Sequence, residues 1–368
     1  MKKILVILIL FLFCNSLTIA GEINVFKKKI KLPSDVMQGY KNVWNFCCNF
    51  DPETRLTPDH AFKFVNKTEG HPVRLGEQSI RFELRRGDCG VSPGGYDDCA
   101  IKDPETGMTS ERHELLLDAD VSPFKKITWN TYSIFLTEDF PLYGFDHITM
   151  GQLHGDGDGA VGFQWDIGVG GDYVVNRRTG CFLPKNKNKK CSISNPENNT
   201  QQVIPKDKLL GKWHDIVLNV KWTKKQNGYL KQWINGKLVY HYQGNTDTPR
   251  EKEQFQMGIY RGPLPSTPKN LTQIAYFDQV RFAKSCEKLK LEDLGYSCEE
   301  LESQKILTID TIAFDNYIAV IKNKDDGDYL LKVSGETKKL TEKKGLKKCK
   351  EAGNTKCYVH FSGPKPLY

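Results

Sequence analysis

Long hydrophobic runs are nearly absent from this 368-residue chain. One unbroken apolar stretch exists, residues 4–13, and it is too short to span a bilayer. Blocks of five or more like charges are also missing, so the net charge of +8 is dispersed rather than gathered into a basic tail. Helical periodicity is scarce, with residues 205–210 and 287–294 as the short candidates. No Cys-x-x-Cys repeat suggests a zinc ribbon, and no segment recurs at a fixed period. With 39% hydrophobic and 27% charged residues, and a mean hydropathy of −0.52, the chain reads as a soluble globular protein. A mild positive field suits an acidic partner without naming one.

What is present begins with a targeting signal. Lys2 and Lys3 precede the apolar run, and Thr18-Ile19-Ala20 offers small residues for cleavage, so residues 1–20 read as a signal peptide. Phe13 before Cys14 is too bulky for a lipoprotein site. A secreted or periplasmic protein without a membrane anchor is expected. Without Cys14, ten of the eleven cysteines remain, which agrees with an oxidising compartment. Local pairs suggest themselves: Cys89 with Cys99, Cys181 with Cys191, Cys286 with Cys298, and Cys349 with Cys357. Cys47 and Cys48 are left over, either as a vicinal pair or bonded elsewhere.

Short stretches rich in aromatic and β-branched residues predict strands over residues 79–85, 126–136, 162–167, 215–222, 229–234, 237–242, 255–260 and 274–282. Asn235-Gly236 between two of them predicts a two-residue hairpin. The fold class expected is all-β: a β-sandwich over residues 21–285, a charged linker over 286–303, and a small C-terminal β module over 304–368. Residues 184–199 form a Lys/Asn-rich loop.

Alternate residues of a strand share a face. On that rule Arg81, Glu83 and Arg85 oppose Ile80, Phe82 and Leu84; Arg112 shares a face with Glu114; Gln152 shares one with His154; and Gln256 shares one with Tyr260. Several strands thus have a dry side and a side of Arg, Gln, His and Tyr, which suits a groove for an extended polar polymer.

In order along the chain, Arg-His-Glu-Leu (112–115), Gln-Leu-His (152–154) and Phe-Gln-Met-Gly-Ile-Tyr (255–260) resemble the three signature strands of jelly-roll polysaccharide lyases. These are the family 7 alginate lyases and their relatives, the family 20 glucuronan lyases and heparin lyase I. Residues 81–85, the Gly87-Asp88-Cys89 turn and the stretch from Gly211 to Gly236 resemble the heparin lyase I/glucuronan lyase branch more closely. The likeness spans roughly residues 60–283. Two positions depart from it: Gln256 where many relatives carry Lys, and His113 where a small hydroxyl residue is usual.

The resemblance implies a concanavalin-like jelly roll with a concave groove and β-elimination at a uronic acid. Such an enzyme must neutralise the carboxylate beside the acidic carbon, remove the proton at C5 and protonate the leaving glycosidic oxygen. Arg112 and Gln152 are the candidates for neutralisation, Arg for its fork geometry. Tyr260 and His154 are the candidates for acid and base, with Arg261 or Arg112 lowering the phenol's pKa. Arg81, Arg85, Gln256, Arg261 and Gln164 are the candidates for substrate contact. No cofactor is required; Asp278 is a candidate ligand for a structural calcium ion. The partner expected is an acidic polysaccharide substrate, not nucleic acid, and the protein is expected to be a monomer.

Each of these has a plainer reading. Arg112 with Glu114, and Arg81 with Glu83, pair equally well as salt bridges. The run Gly155-Asp156-Gly157-Asp158-Gly159 lacks the twelve-residue calcium-loop pattern and reads as a flexible gate. Asn66, Asn198 and Asn270 begin glycosylation patterns that matter only in a eukaryotic secretory path. The alternative functions are a lectin-like binding module on the same sandwich and a retaining glycoside hydrolase. The hydrolase lacks its usual Glu-x-Asp-x-x-Glu strand here.

Overall fold

The computed structural model describes residues 35–45, 49–54, 56–91, 97–102, 107, 109–119, 126–142, 148–155, 161–168, 170–177, 200–223, 225–246, 253–262, 271–304, 317–323, 330–335, 338–351 and 356–364. The signal-like N-terminus, Cys47, Cys48, Cys181, Cys191 and the Lys/Asn-rich loop lie outside them.

Alternating apolar residues build two sheets that face each other. The first runs β10 (Thr200–Ile204), β9 (Tyr173–Arg177), β8 (Val161–Ile167), β7 (Ile148–Gly155), β14 (Glu253–Arg261), β5 (Glu111–Asp118), β2 (Asn42–Asn45). The second runs β13 (Lys237–Gly244), β12 (Gly228–Ile234), β11 (Trp213–Lys221), β6 (Ile127–Leu136), β15 (Gln273–Ala283), β4 (Gln78–Leu84), β3 (Phe62–Asn66). A short β1 (Met37–Gln38) joins β15 in parallel, and the other pairings are antiparallel. The chain changes sheet at each step from β4 to β7 and again from β14 to β15, which makes an all-β sandwich of the expected class.

The core lies between the sheets. Leu115, Leu117, Phe255, Met257, Ile259, Phe163 and Trp165 enter it from the first sheet, and Ile80, Phe82, Leu84, Ile134, Ile216 and Phe277 from the second. Fully burying each such side chain contributes about 1.5–3 kcal/mol. Tyr132 on β6 touches Trp165 and Phe255 across the gap, and its hydroxyl meets that of Tyr173 at 3.1 Å. The Asn235-Gly236 hairpin forms as expected: both residues have positive φ (50° and 77°), the twist a tight hairpin requires.

The helical candidates settle as 3-10 turns, Lys206–Lys208, Cys286–Leu289 and Leu291–Leu294. Residues 286–303 are not an extended linker. Cys286, Leu289, Leu291 and Leu294, with Leu301 of α1 (Cys298–Ser303), form a second buried cluster with Trp129, Val217 and Trp233 on the outer side of the second sheet. Charged residues set the composition of this stretch, but its leucines recur often enough to bury one side of it. Trp233 Nε1 donates to the Leu301 carbonyl at 3.0 Å, and Tyr296 donates to Asp215 at 2.6 Å. Cys286–Cys298 closes the segment, and Cys89–Cys99 and Cys349–Cys357 also form as paired in the sequence.

Toward the C-terminus, β17 (Leu330–Gly335), β16 (Tyr317–Asn323) and β18 (Cys357–Pro364) make a three-stranded antiparallel sheet. The helix α2 (Lys338–Glu351) packs on all three strands. The expected β module thus carries a helix beside its three strands. Lys, Glu and Leu are good helix formers, but so few apolar residues occur in α2 that no periodic stripe announces it.

Candidate active site

Three neighbouring strands of the first sheet carry the site. On β5, Leu115 and Leu117 enter the core, which turns Arg112 and Glu114 to the outward face. On β14, Phe255, Met257 and Ile259 point inward, which turns Gln256 and Tyr260 outward. On β7, Leu153 is in the core and Gln152 outward. Tyr260 stands opposite Arg112, and Gln256 opposite Gln152. Gln152 in turn stands opposite Gln164 of β8. Gly258, between Gln256 and Tyr260, has φ 147°, and a Cβ there would lie 2.1 Å from the His113 carbonyl oxygen. Only glycine lets β14 approach β5 this closely at the site.

The electrostatics centre on Arg112, which is 6% exposed. Its Nε and Nη2 donate to the two oxygens of fully buried Asp98, at 2.6 and 2.8 Å. Its Nη1 donates to Glu114 at 3.3 Å, and its guanidinium lies 3.8 Å from the centre of the Tyr260 ring. Gln152 Nε2 donates to the other Glu114 oxygen at 2.8 Å. Burial pushes the Glu114 carboxyl up, against the pull of Arg112. Burial likewise pushes up the phenol of half-buried Tyr260, which Arg112 partly counters. The phenol thus stays protonated at neutral pH and is suited to donate a proton.

Further along the face a second polar network forms. Thr149 donates to Asp166 at 2.7 Å, and Gln164 donates to Thr149 and Asp166 at 2.5 and 2.7 Å. Asn176 donates to the other Asp166 oxygen, and Thr200 donates to Asn176.

The structure therefore brings Arg112, Gln152, Gln164, Gln256 and Tyr260 to one face. His154 occupies β7 two positions beyond Gln152, opposite Gln254 and Val161. The remaining expected residues are held by other partners. Arg112 does not present an open fork, because a guanidinium this buried must be paired, and Asp98 takes it bidentately. Arg261 follows Tyr260 and so faces the other way. It is fully buried, paired with Glu111 at 2.5 Å and bonded to Gln273 and the Arg85 carbonyl, and is no neighbour of the phenol. Arg81 and Arg85 belong to the other sheet's side, where both pair with Glu83. Asp278 is buried on β15 of the second sheet, where its oxygens accept N–H bonds from Arg74, Leu75 and Gln279. Burial pushes its carboxyl up to about 6.

Sequence reasoning missed Asp98. It sits in a 3-10 turn (Asp98–Ala100) whose N-cap is Asp97, tethered by the Cys89–Cys99 bridge. No periodicity reaches such a turn; its adjacency to a paired cysteine is the one signal available.

Fold and face together define a β-sandwich protein with one chemically equipped outer surface. A family model described as polysaccharide lyase matches residues 65–281, more than half of the chain, and the chain belongs to that family. Among solved structures the chain is similar to an endo-β-1,4-glucuronan lyase from the fungus Trichoderma reesei, at 14% identity over 67% of this chain and 96% of that one, with a TM-score of 0.41. It is similar to the alginate lyase AlgAT5 of polysaccharide lyase family 7, at 14% identity over 69% and 98%, TM-score 0.42. It is also similar to a GH131 β-glucanase catalytic domain from Podospora anserina, at 9% identity over 67% and 85%, TM-score 0.40. No curated protein matches the chain in sequence. Among the described residues no helix is long and apolar enough to cross a membrane, and the three disulfides there suit an oxidising compartment.

Proposed function

We propose that this polysaccharide lyase is exported and cleaves a uronate-containing acidic polysaccharide, glucuronan-like in preference to heparin-like or alginate, by β-elimination on the outward face of the first sheet. The observation that carries the reading is the convergence of Tyr260, Arg112, Gln152 and Gln256 on one face of three adjacent strands. The amides of Gln152 and Gln256 meet the substrate carboxylate and help hold the negative charge that builds as C5 loses its proton. Tyr260, kept protonated by burial, gives its proton to the departing glycosidic oxygen. His154, next along β7, takes the C5 proton. Arg112 acts from beneath: stacked on the phenol, it keeps the ring oriented and favours the phenolate left after transfer. General acid and base terms of this kind contribute about 10²–10⁴-fold each. Incubation with glucuronan, alginate and heparin, followed by the ultraviolet absorbance of the unsaturated product, tests the reading. Absorbance growing on at least one uronate polymer is expected; none on any of them overturns it.

A further inference from the structure

On the opposite side of β5 from Arg112, three side chains from separate stretches of chain converge. His60 precedes β3, Asp88 lies in the turn after β4, and His113 is in β5. Asp88 Oδ2 is 2.9 Å from His60 Nε2 and 3.1 Å from His113 Nε2, and the ligand atoms of the three lie within 4.8 Å of one another. We propose that His60, Asp88 and His113 form a structural site for a divalent transition-metal ion of the zinc class, with water completing a tetrahedron.

Distance, donor type and access agree. Two ligands at about 2.0–2.1 Å from a tetrahedral zinc ion are about 3.3 Å apart, so the two Asp88–His separations, 2.9 and 3.1 Å, need widen by only a few tenths of an ångström. Two imidazoles and one carboxylate are the donors zinc accepts, whereas calcium asks for six to eight oxygens. His113 is buried, while the side chains of His60 and Asp88 are 18% and 12% exposed, which leaves an entry path and a place for water. The backbone N–H of Arg85 donates to Asp88 Oδ2 at 2.6 Å and steadies the carboxylate. His113 Nδ1 has no hydrogen-bond partner among the described residues, so the contact at Nε2 is what orients this ring.

The consequence is mechanical. An ion here ties the approach to β3 in the second sheet to β5 in the first. It also holds the residue before Cys89, whose disulfide partner Cys99 follows Asp98, the residue that grips Arg112.

The test uses the full chain, stripped with a chelator and titrated with zinc chloride by calorimetry, then with cobalt followed by visible absorbance. One zinc per chain with sub-micromolar affinity, cobalt bands of tetrahedral intensity and no competition by calcium are expected. His60→Ala, at a partly exposed position, should keep the wild-type fold by circular dichroism and weaken zinc by more than about 100-fold, since losing a direct ligand costs more than losing an outer contact. Asp88→Asn should weaken it similarly. His71→Ala, outside the cluster, should not. Absence of zinc binding by the wild type, or equal affinity in His60→Ala and the wild type, overturns the proposal and leaves the three residues as a hydrogen-bonded relay. Because binding is read without turnover, the result stands apart from the lyase assignment.

Discussion

Replacing Asp98 by Ala tests how the site is held. The residue is fully buried, and its carboxylate accepts two bonds, at 2.6 and 2.8 Å, from a guanidinium that is itself 6% exposed. Removing one member of a buried ion pair leaves the other charged and unsolvated, at about 3–5 kcal/mol. Glu114, 3.3 Å from the same guanidinium, retains part of the compensation, which places the cost near 3 kcal/mol. For a unit of this size about 2–4 °C of melting temperature goes with each kcal/mol, so Asp98→Ala should melt about 6–12 °C lower. Replacing both partners with apolar residues, Asp98→Leu with Arg112→Met, removes the orphaned charge and should recover most of that loss. The double variant should be folded and inactive, because nothing then stacks on Tyr260. Thermal unfolding followed by circular dichroism, with product absorbance on the same samples, reads both effects. An Asp98→Ala melt within about 2 °C of wild type, or a double variant no more stable than the single one, would refute the reasoning.

Tyr260→Phe keeps the ring stacked on Arg112 and removes the acid; turnover should fall about 10²–10⁴-fold while polymer affinity stays nearly constant, checked by product absorbance and calorimetry. The Cys89–Cys99 and Cys286–Cys298 bridges span 10 and 12 residues. By loop length each stabilises by about 3 kcal/mol. Paired Cys→Ala replacement should therefore lower the melting temperature similarly, but loss of Cys89–Cys99, beside Asp98, should slow turnover far more. Equal kinetic effects would contradict the anchoring role of the Asp98 turn. Asp278 supplies a pH dependence. Its carboxyl is raised to about 6 by burial, so the folded chain holds a proton that the unfolded chain has released, and stability falls as pH rises through about 4–6. That loss is about 3 kcal/mol, absent from Asp278→Asn. Denaturant midpoints at pH 4, 5, 6 and 7 for both proteins would expose the error if the two curves run parallel.

Alternation of apolar and polar residues carried most of the sandwich. The run expected over residues 126–136 forms as Ile127–Leu136, and the one over 255–260 extends to Glu253–Arg261. β9 and β10 escaped because they are short, and Thr200-Gln201-Gln202 is polar. Parity shows which residues share a face but not which sheet the strand joins. Arg81 and Arg112 therefore look alike in sequence and end on different sheets. Arg261 was legible: it directly follows Tyr260, and adjacent strand residues face opposite ways. The pairing of Arg112 with Asp98 was not, since it joins a strand to an irregular turn and depends on tertiary closure.

The leucines of residues 286–303, laid over the stacked indoles of Trp129 and Trp233, give the sandwich a back and a front. A two-layer β protein has two outer surfaces on which a long chain can rest. Here one of them is already upholstered by the protein's own backbone, at least across β6, β11 and β12. A glycan bound at the proposed site would therefore lie on the face opposite these leucines.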